Sequence, residues 1–300
     1  PFSLSADAES FQDKIPVPAL DAEWYFSDTW SLELFYQPSF VSNFIPSFVK
    51  ESMFLSPLSA SLGLDFGEAV VHVEEDMPSV GFFSPIWAVR ARGPVGNFDL
   101  ALSFQSGYYL SPFPYETSIT LGEEGVREVE ILAGYPRRSV VGLEFQGTIE
   151  GLEGVTVRGD LALIFPEQWT QSIFINGNPV STVSVLDEPY WKASLGIDYT
   201  HGNFYVNLNY LLGNPWEEGR NVSPYLYLVT NWKSEDEKWK PFWNSILSLH
   251  DQSMVNIVGV EYKPKENWTT SLSYTFSSGA PDSILGSFSD GVFFEVKYSF

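Results

Sequence analysis

The chain has 300 residues, no cysteine and a formal net charge of −22, which excludes disulfide and thiolate chemistry and argues against nucleic acid, since a polyanion repels a polyanion. Phe, Tyr and Trp make up 16% of the residues while the mean hydropathy is −0.05, so large apolar rings and polar residues must be finely interleaved. No run approaches the ~18 apolar residues of a membrane-crossing helix, and no signal peptide stands at Pro1, so an exported chain is expected to have lost it already.

In chain order the dominant period is two. Leu20, Ala22, Trp24 and Phe26 alternate with Asp21 and Glu23, and Trp30, Leu32, Leu34 and Tyr36 with Glu33 and Gln37. The stretch Val41–Ser79 breaks this pattern. It is the longest irregular segment, and its helix candidate, around Phe44 to Leu62, is interrupted by Pro46 and Pro57. Its apolar residues (Phe44, Phe48, Met53, Phe54, Leu55) imply packing, either as a constriction inside a lumen or as a subunit contact or outer cap. Alternation resumes at Phe98–Gln105, Val141–Ile149, Val155–Phe165, Trp191–Tyr199, Phe204–Leu212, Trp268–Ser277 and Phe294–Phe300.

Successive strand residues point to opposite faces, so each run has one apolar and one small, polar face. The runs are about 9–11 residues long, the length that a tilted strand needs to cross a bilayer. They predict an all-β fold, a transmembrane antiparallel up-and-down β-barrel of about 14 strands (12–16) formed by residues 1–300 as a single domain. Tyr and Trp near run ends suit membrane interfaces. Turn lengths give one conflict. Counting back from Phe300, the short link Thr200–Asn203 falls on the short-turn side, but Gly93–Gly96 and Pro136–Arg138 fall opposite. One strand is therefore missed or added, with Gln171–Leu186 the suspect segment.

The last run carries Phe294, Val296, Tyr298 and Phe300 at alternate positions. This ending resembles the C-terminal signature of bacterial outer-membrane β-barrels, and within them the chain looks most like a porin. The resemblance implies recognition of these four residues by the barrel-assembly machinery, an outer-membrane location in contact with lipid, and a homotrimer.

Alternation assigns pore-lining candidates: the acids Asp21, Glu23, Glu33, Asp99, Glu128, Glu130, Glu144, Asp160, Asp198, Glu261 and Glu295, and the bases Arg90, Arg92, Arg158, Lys192, Lys263 and Lys297. The acidic excess predicts cation preference, with pairing between neighbouring strands as the alternative role. Arg90 and Arg92 could face Glu128 and Glu130 across a pore. The acid clusters at 74–76, 123–124, 217–218 and 235–237 read as solvated loop charge. His72, His201 and His250 lack metal-ligand spacing, and no nucleophile elbow, Walker loop or dinucleotide motif is present. No catalysis, metal or cofactor is expected. The first functional expectation is a passive channel for small hydrophilic solutes. The alternatives are a structural outer-sheath barrel or anchor without an open pore, and a soluble β-rich carbohydrate-binding protein.

Overall fold

The computed structural model describes residues 15–67, 69–79, 85–123, 125–214, 217–280, 283–286 and 288–299. In chain order these form β1 (Leu20–Tyr25), β2 (Ser31–Gln37), α1 (Ser47–Leu62), β3 (Val70–Asp76), β4 (Ile86–Val95), β5 (Phe98–Tyr108), β6 (Phe113–Gly122), β7 (Gly125–Gly134), β8 (Arg137–Thr148) and β9 (Val155–Pro166). They continue with β10 (Trp169–Ile175), β11 (Asn178–Leu186), β12 (Tyr190–His201), β13 (Phe204–Leu212), β14 (Pro224–Trp232), β15 (Trp239–Ser248), β16 (Met254–Lys265), β17 (Trp268–Ser278) and β18 (Gly291–Tyr298).

Thirteen strands make one sheet in the order β1-β2-β4-β5-β8-β9-β12-β13-β14-β15-β16-β17-β18. Every neighbouring pair is antiparallel, so the sheet is an up-and-down meander. Among the described residues β1 and β18 share no ladder. The connections sort by side. Those after β1, β4, β8, β12, β14 and β16 are two to six residues long and lie along one end of the sheet. The two-residue turns 96–97 and 202–203 both begin with glycine, and Gly96 and Gly202 take φ of 62° and 55°, a conformation that tight hairpin turns demand. The other end carries the long connections 38–85, 109–136 and 167–189, together with 213–223, 249–253 and 279–290.

The first three long connections build a second sheet, ordered β11-β10-β6-β7-β3. Its hairpins β6–β7 and β10–β11 are antiparallel, while β3–β7 and β6–β10 are parallel. The stretch expected to be irregular supplies α1 and β3. The helix starts directly after Pro46, which cannot continue a helix backwards, and ends where Gly63 takes φ 65° and donates to the Ser59 carbonyl at 2.9 Å. Pro57 lies inside it on the exposed side, where the carbonyl that it leaves free can meet water. Phe54 and Leu58, one turn apart, pack with Phe66 onto Ile119, Val129, Ile131, Ala133 and Ile173. Burying each large side chain there stabilises the unit by about 1.5–3 kcal/mol.

This arrangement gives the large sheet thirteen strands, within the expected 12–16, and removes the turn conflict. The segment 171–186 lies in β10 and β11, outside that sheet. Gly93–Gly96 leads into a turn on the same end as Thr200–Asn203. Pro136–Arg138 is the return from β7 to β8, so its place at the opposite end is required.

The large sheet is apolar on one face and polar on the other. The apolar face is open: Leu102 is 59% exposed, Leu208 45%, Leu272 49% and Phe294 69%. Aromatic residues of this face gather at the short-turn end (Trp24, Tyr199, Phe204, Trp232, Trp239, Trp268, Tyr298) and again near the long-connection end (Trp87, Phe165, Trp191, Tyr274), all exposed. On β12 Trp191 and Tyr199 are eight residues apart, about 27 Å along a strand at ~3.4 Å per residue.

Candidate functional site

The polar face holds a cleft of about 540 Å³ toward the short-turn end, lined by Tyr25, Arg90, Arg92, Asp99, Glu144, Arg158 and Asp160 among others. Small residues on intervening strands let its long side chains reach one another. Arg90 sits opposite Glu33 and Ser103 in register, and Ser103 faces Gly142. With Ala101 and Ser103 low on β5, the Arg90 guanidinium crosses that strand to bond Glu144 on β8 and lies 3.8 Å from Glu33 on β2. Arg92 crosses β2 in the same way: it donates to Ser31 Oγ at 3.2 Å and reaches Glu23 on β1 at 2.5 Å. Farther round, Arg158 lies 3.5 Å from Asp198, which also accepts from Tyr205 at 2.5 Å and Asn207 at 2.8 Å. Gly196 makes the room, since a Cβ there would come within 2.1 Å of Asn209 Oδ1 and 3.2 Å of Arg158 Nε.

The sequence-derived candidates divide into three groups. Asp21, Glu23, Glu33, Arg90, Arg92, Asp99, Glu144, Arg158, Asp160, Lys192, Asp198, Glu261, Lys263, Glu295 and Lys297 all lie on strands of the large sheet. Glu128 and Glu130 do not. They stand on β7 of the second sheet, where Glu128 is 3.7 Å from His72. The facing walls imagined for Arg90/Arg92 and Glu128/Glu130 are therefore not formed, because the arginines are engaged by Glu33, Glu144 and Glu23. Phe294, Val296 and Tyr298 project from the apolar face of β18, and Phe300 lies outside the described residues.

Two charged groups, Lys240 and Arg138, escaped the reading of the sequence, and two of the acid clusters expected to be solvated loop charge are engaged instead: 74–76 closes β3, where Glu75 pairs with Lys50 and accepts from Tyr135, and 217–218 is bonded on the polar face. Lys240 pairs with Glu261 at 3.0 Å, and Arg138 is the second residue of β8, on the polar face. Glu217 and Glu218 come to the long-connection end of that face with residues 217–223. Glu218 accepts from Tyr190 at 2.5 Å and lies 3.4 Å from Lys192 and 3.6 Å from Arg138. Glu217 accepts from the Asn214 amide at 2.7 Å and from Tyr225 at 2.8 Å. Beside them Tyr109, Leu186 and Tyr190 cover Ile164, Val140 and Ala162. Burial pushes the Tyr109 phenol up to about 12, although its hydrogen bond with Tyr190 opposes the shift. The polar face is thus roofed at the long-connection end and open at the cleft.

Pairing leaves a residual charge. Among the described residues no ion pair reaches Asp21, Asp99, Asp160 or Glu295, nor Lys263 or Lys297. Asp160 faces Glu144 directly across β8–β9, so once Arg90 takes Glu144, Asp160 keeps an uncompensated charge. Also among the described residues, no three histidines or carboxylates converge as metal ligands. The chain matches no known family model and no curated protein sequence.

Proposed function

We propose that this chain is a β-barrel of a bacterial outer membrane, and that its polar face lines a water-filled passage for small hydrophilic solutes with a modest preference for cations. One observation carries the reading: a thirteen-stranded antiparallel sheet exposes its leucine-, valine- and aromatic-rich face while its other face carries the charges. A water-facing sheet has no reason to leave that side bare, whereas lipid favours it and selects aromatic belts at both interfaces. Hydrocarbon also penalises unpaired strand edges, so closure in the membrane would join β1 to β18, which run in the same direction and would pair parallel. The short turns face the periplasm and the long connections, with the second sheet, face outward.

The cation preference rests on Asp99 and Asp160, the cleft carboxylates left without a basic partner. The test is conductance across planar bilayers under a salt gradient. Stepwise channels with a reversal potential of cation-selective sign are expected. Absence of channels from correctly folded protein, or anion selectivity, contradicts the reading. The roof formed by Asn214, Glu217, Glu218 and the Tyr109–Leu186 cluster favours a second reading, a barrel closed at its outer end that serves as an anchor for the second sheet. A folded, membrane-inserted protein that never conducts is the outcome that selects it.

A further inference from the structure

The second sheet ends on two edge strands, β3 and β11, and they are finished differently. An open edge offers unpaired amides and carbonyls to any other strand, and proteins usually protect it with charge. β3 carries Glu74, Glu75 and Asp76. At the ends of the large sheet, β1 carries Asp21 and Glu23, and β18 carries Glu295 and Lys297. β11, reading NPVSTVSVL, has no charged residue over nine positions in a chain of net charge −22, and its one edge-blunting residue, Pro179, lies outside the central stretch 180–184. Among the described residues it pairs with β10 alone, its residues 178–184 are exposed, and Val180 and Val183 stand 52% and 46% exposed.

We infer that β11 is a self-association edge, where a second copy of this chain adds its own β11 antiparallel and joins two five-stranded sheets into one. Electrostatics select the partner. Two copies approaching through β3, the other edge of this sheet, bring Glu74, Glu75 and Asp76 against their own kind, and like charges directly opposite destabilise a strand pair. β11 laid on itself does not. With a two-fold axis at Thr182, Thr182 faces Thr182, Ser181 faces Val183 and Val180 faces Ser184, all neutral pairs of β-favouring residues. On β11, Ser181 and Val183 lie on the side of the sheet that α1 covers, opposite Ile173 and Gln171 of β10. The partner's Ser181 would therefore cover Val183 and extend the packed layer. Such a contact is isologous and closes at two copies. It does not build the three-fold ring that the porin resemblance implies. The inference stands on the second sheet alone and is independent of whether the large sheet conducts.

The absence of cysteine makes the test direct. Full-length Thr182→Cys, folded in detergent, is treated with a short thiol-to-thiol crosslinker, and the molar mass of the unmodified protein is measured by light scattering with the detergent contribution subtracted. A crosslinked dimer and a two-chain mass are expected, with the dimer strengthened by salt because screening reduces the repulsion of two −22 chains. Val183→Lys should weaken the dimer at least ~10-fold, by placing ammonium groups on the pairing edge, while Val70→Lys on β3 leaves it unchanged. A one-chain mass at all accessible concentrations overturns the inference. So does a dimer that survives Val183→Lys and yields no Thr182 crosslink, or capture of β11 by a different protein with no self-pairing.

Discussion

Replacing Leu272 with arginine separates a lipid-facing wall from a water-facing one. Leu272 lies mid-way along β17 on the apolar face, between Val260 and Phe294 of the adjacent strands, and is 49% exposed. If its surroundings are water, the substitution removes little packing and stability should move by no more than about 0.5 kcal/mol. If they are hydrocarbon near mid-depth, a guanidinium costs about 2–4 kcal/mol, a factor of roughly 30 to 1,000 in the folding equilibrium. Ser271→Arg is the internal control. It places the same side chain one residue away on the polar face, between Glu261 and Glu295, where charge complementarity should keep the change within about 0.5 kcal/mol. Reversible urea unfolding in phospholipid vesicles, followed by tryptophan fluorescence, reads both. Equal and small effects for the two variants would refute the lipid-facing assignment.

Three further outcomes follow from named contacts. Ile131→Ala empties a fully buried position beneath α1 and should cost about 2–5 kcal/mol, seen as protease cleavage within 109–136 while β12–β17 stay protected. Asp99→Asn combined with Asp160→Asn removes the unpaired cleft carboxylates, so the reversal potential in a salt gradient should move toward zero with little change in protein stability. The Asp251 carboxyl is held well below the usual carboxylate range, first by the Ser253 hydroxyl and then by the Ile284 and Ser253 amides. A carboxyl depressed in the folded state contributes its full stability above its unfolded pKa of ~3.9 and loses it progressively as pH falls from there through the depressed folded value. Hydrogen exchange at the Ile284 amide, corrected for intrinsic rates, should therefore begin to lose protection below about pH 4 and lose it progressively as pH falls further, and Asp251→Asn should lose it at neutral pH.

Alternation revealed the long antiparallel strands because nearly every one keeps a clean polar face, as in Trp268–Ser278 and Trp191–Tyr199. It failed where that face is covered. On β14 the polar side carries Tyr225, fully buried against Glu217, together with Tyr227 and Val229. On β15 it carries Phe242 and Ile246, which hid Lys240 among apolar neighbours on both faces. The second sheet was hidden for the opposite reason. Ile119 on β6, Val129 and Ile131 on β7 and Ile173 on β10 alternate as lipid-facing residues would, but α1 seals them in a dry core. Period two records that one face is apolar, without recording what covers it. The same ambiguity placed Glu128 and Glu130 on the wall. Glu217 and Glu218 belong to an aperiodic connection, so only the fold brings them to Lys192 and Arg138.

The central claim is that the bare face of the large sheet meets lipid tails and the charged face meets water. Single cysteines at 268–276, each carrying a nitroxide in vesicles, report it residue by residue along β17. Accessibility to oxygen should peak at positions 268, 270, 272, 274 and 276, and accessibility to a water-soluble nickel complex at 269, 271, 273 and 275. Both probes rising and falling together, with the complex reaching position 272 as easily as 271, would contradict it.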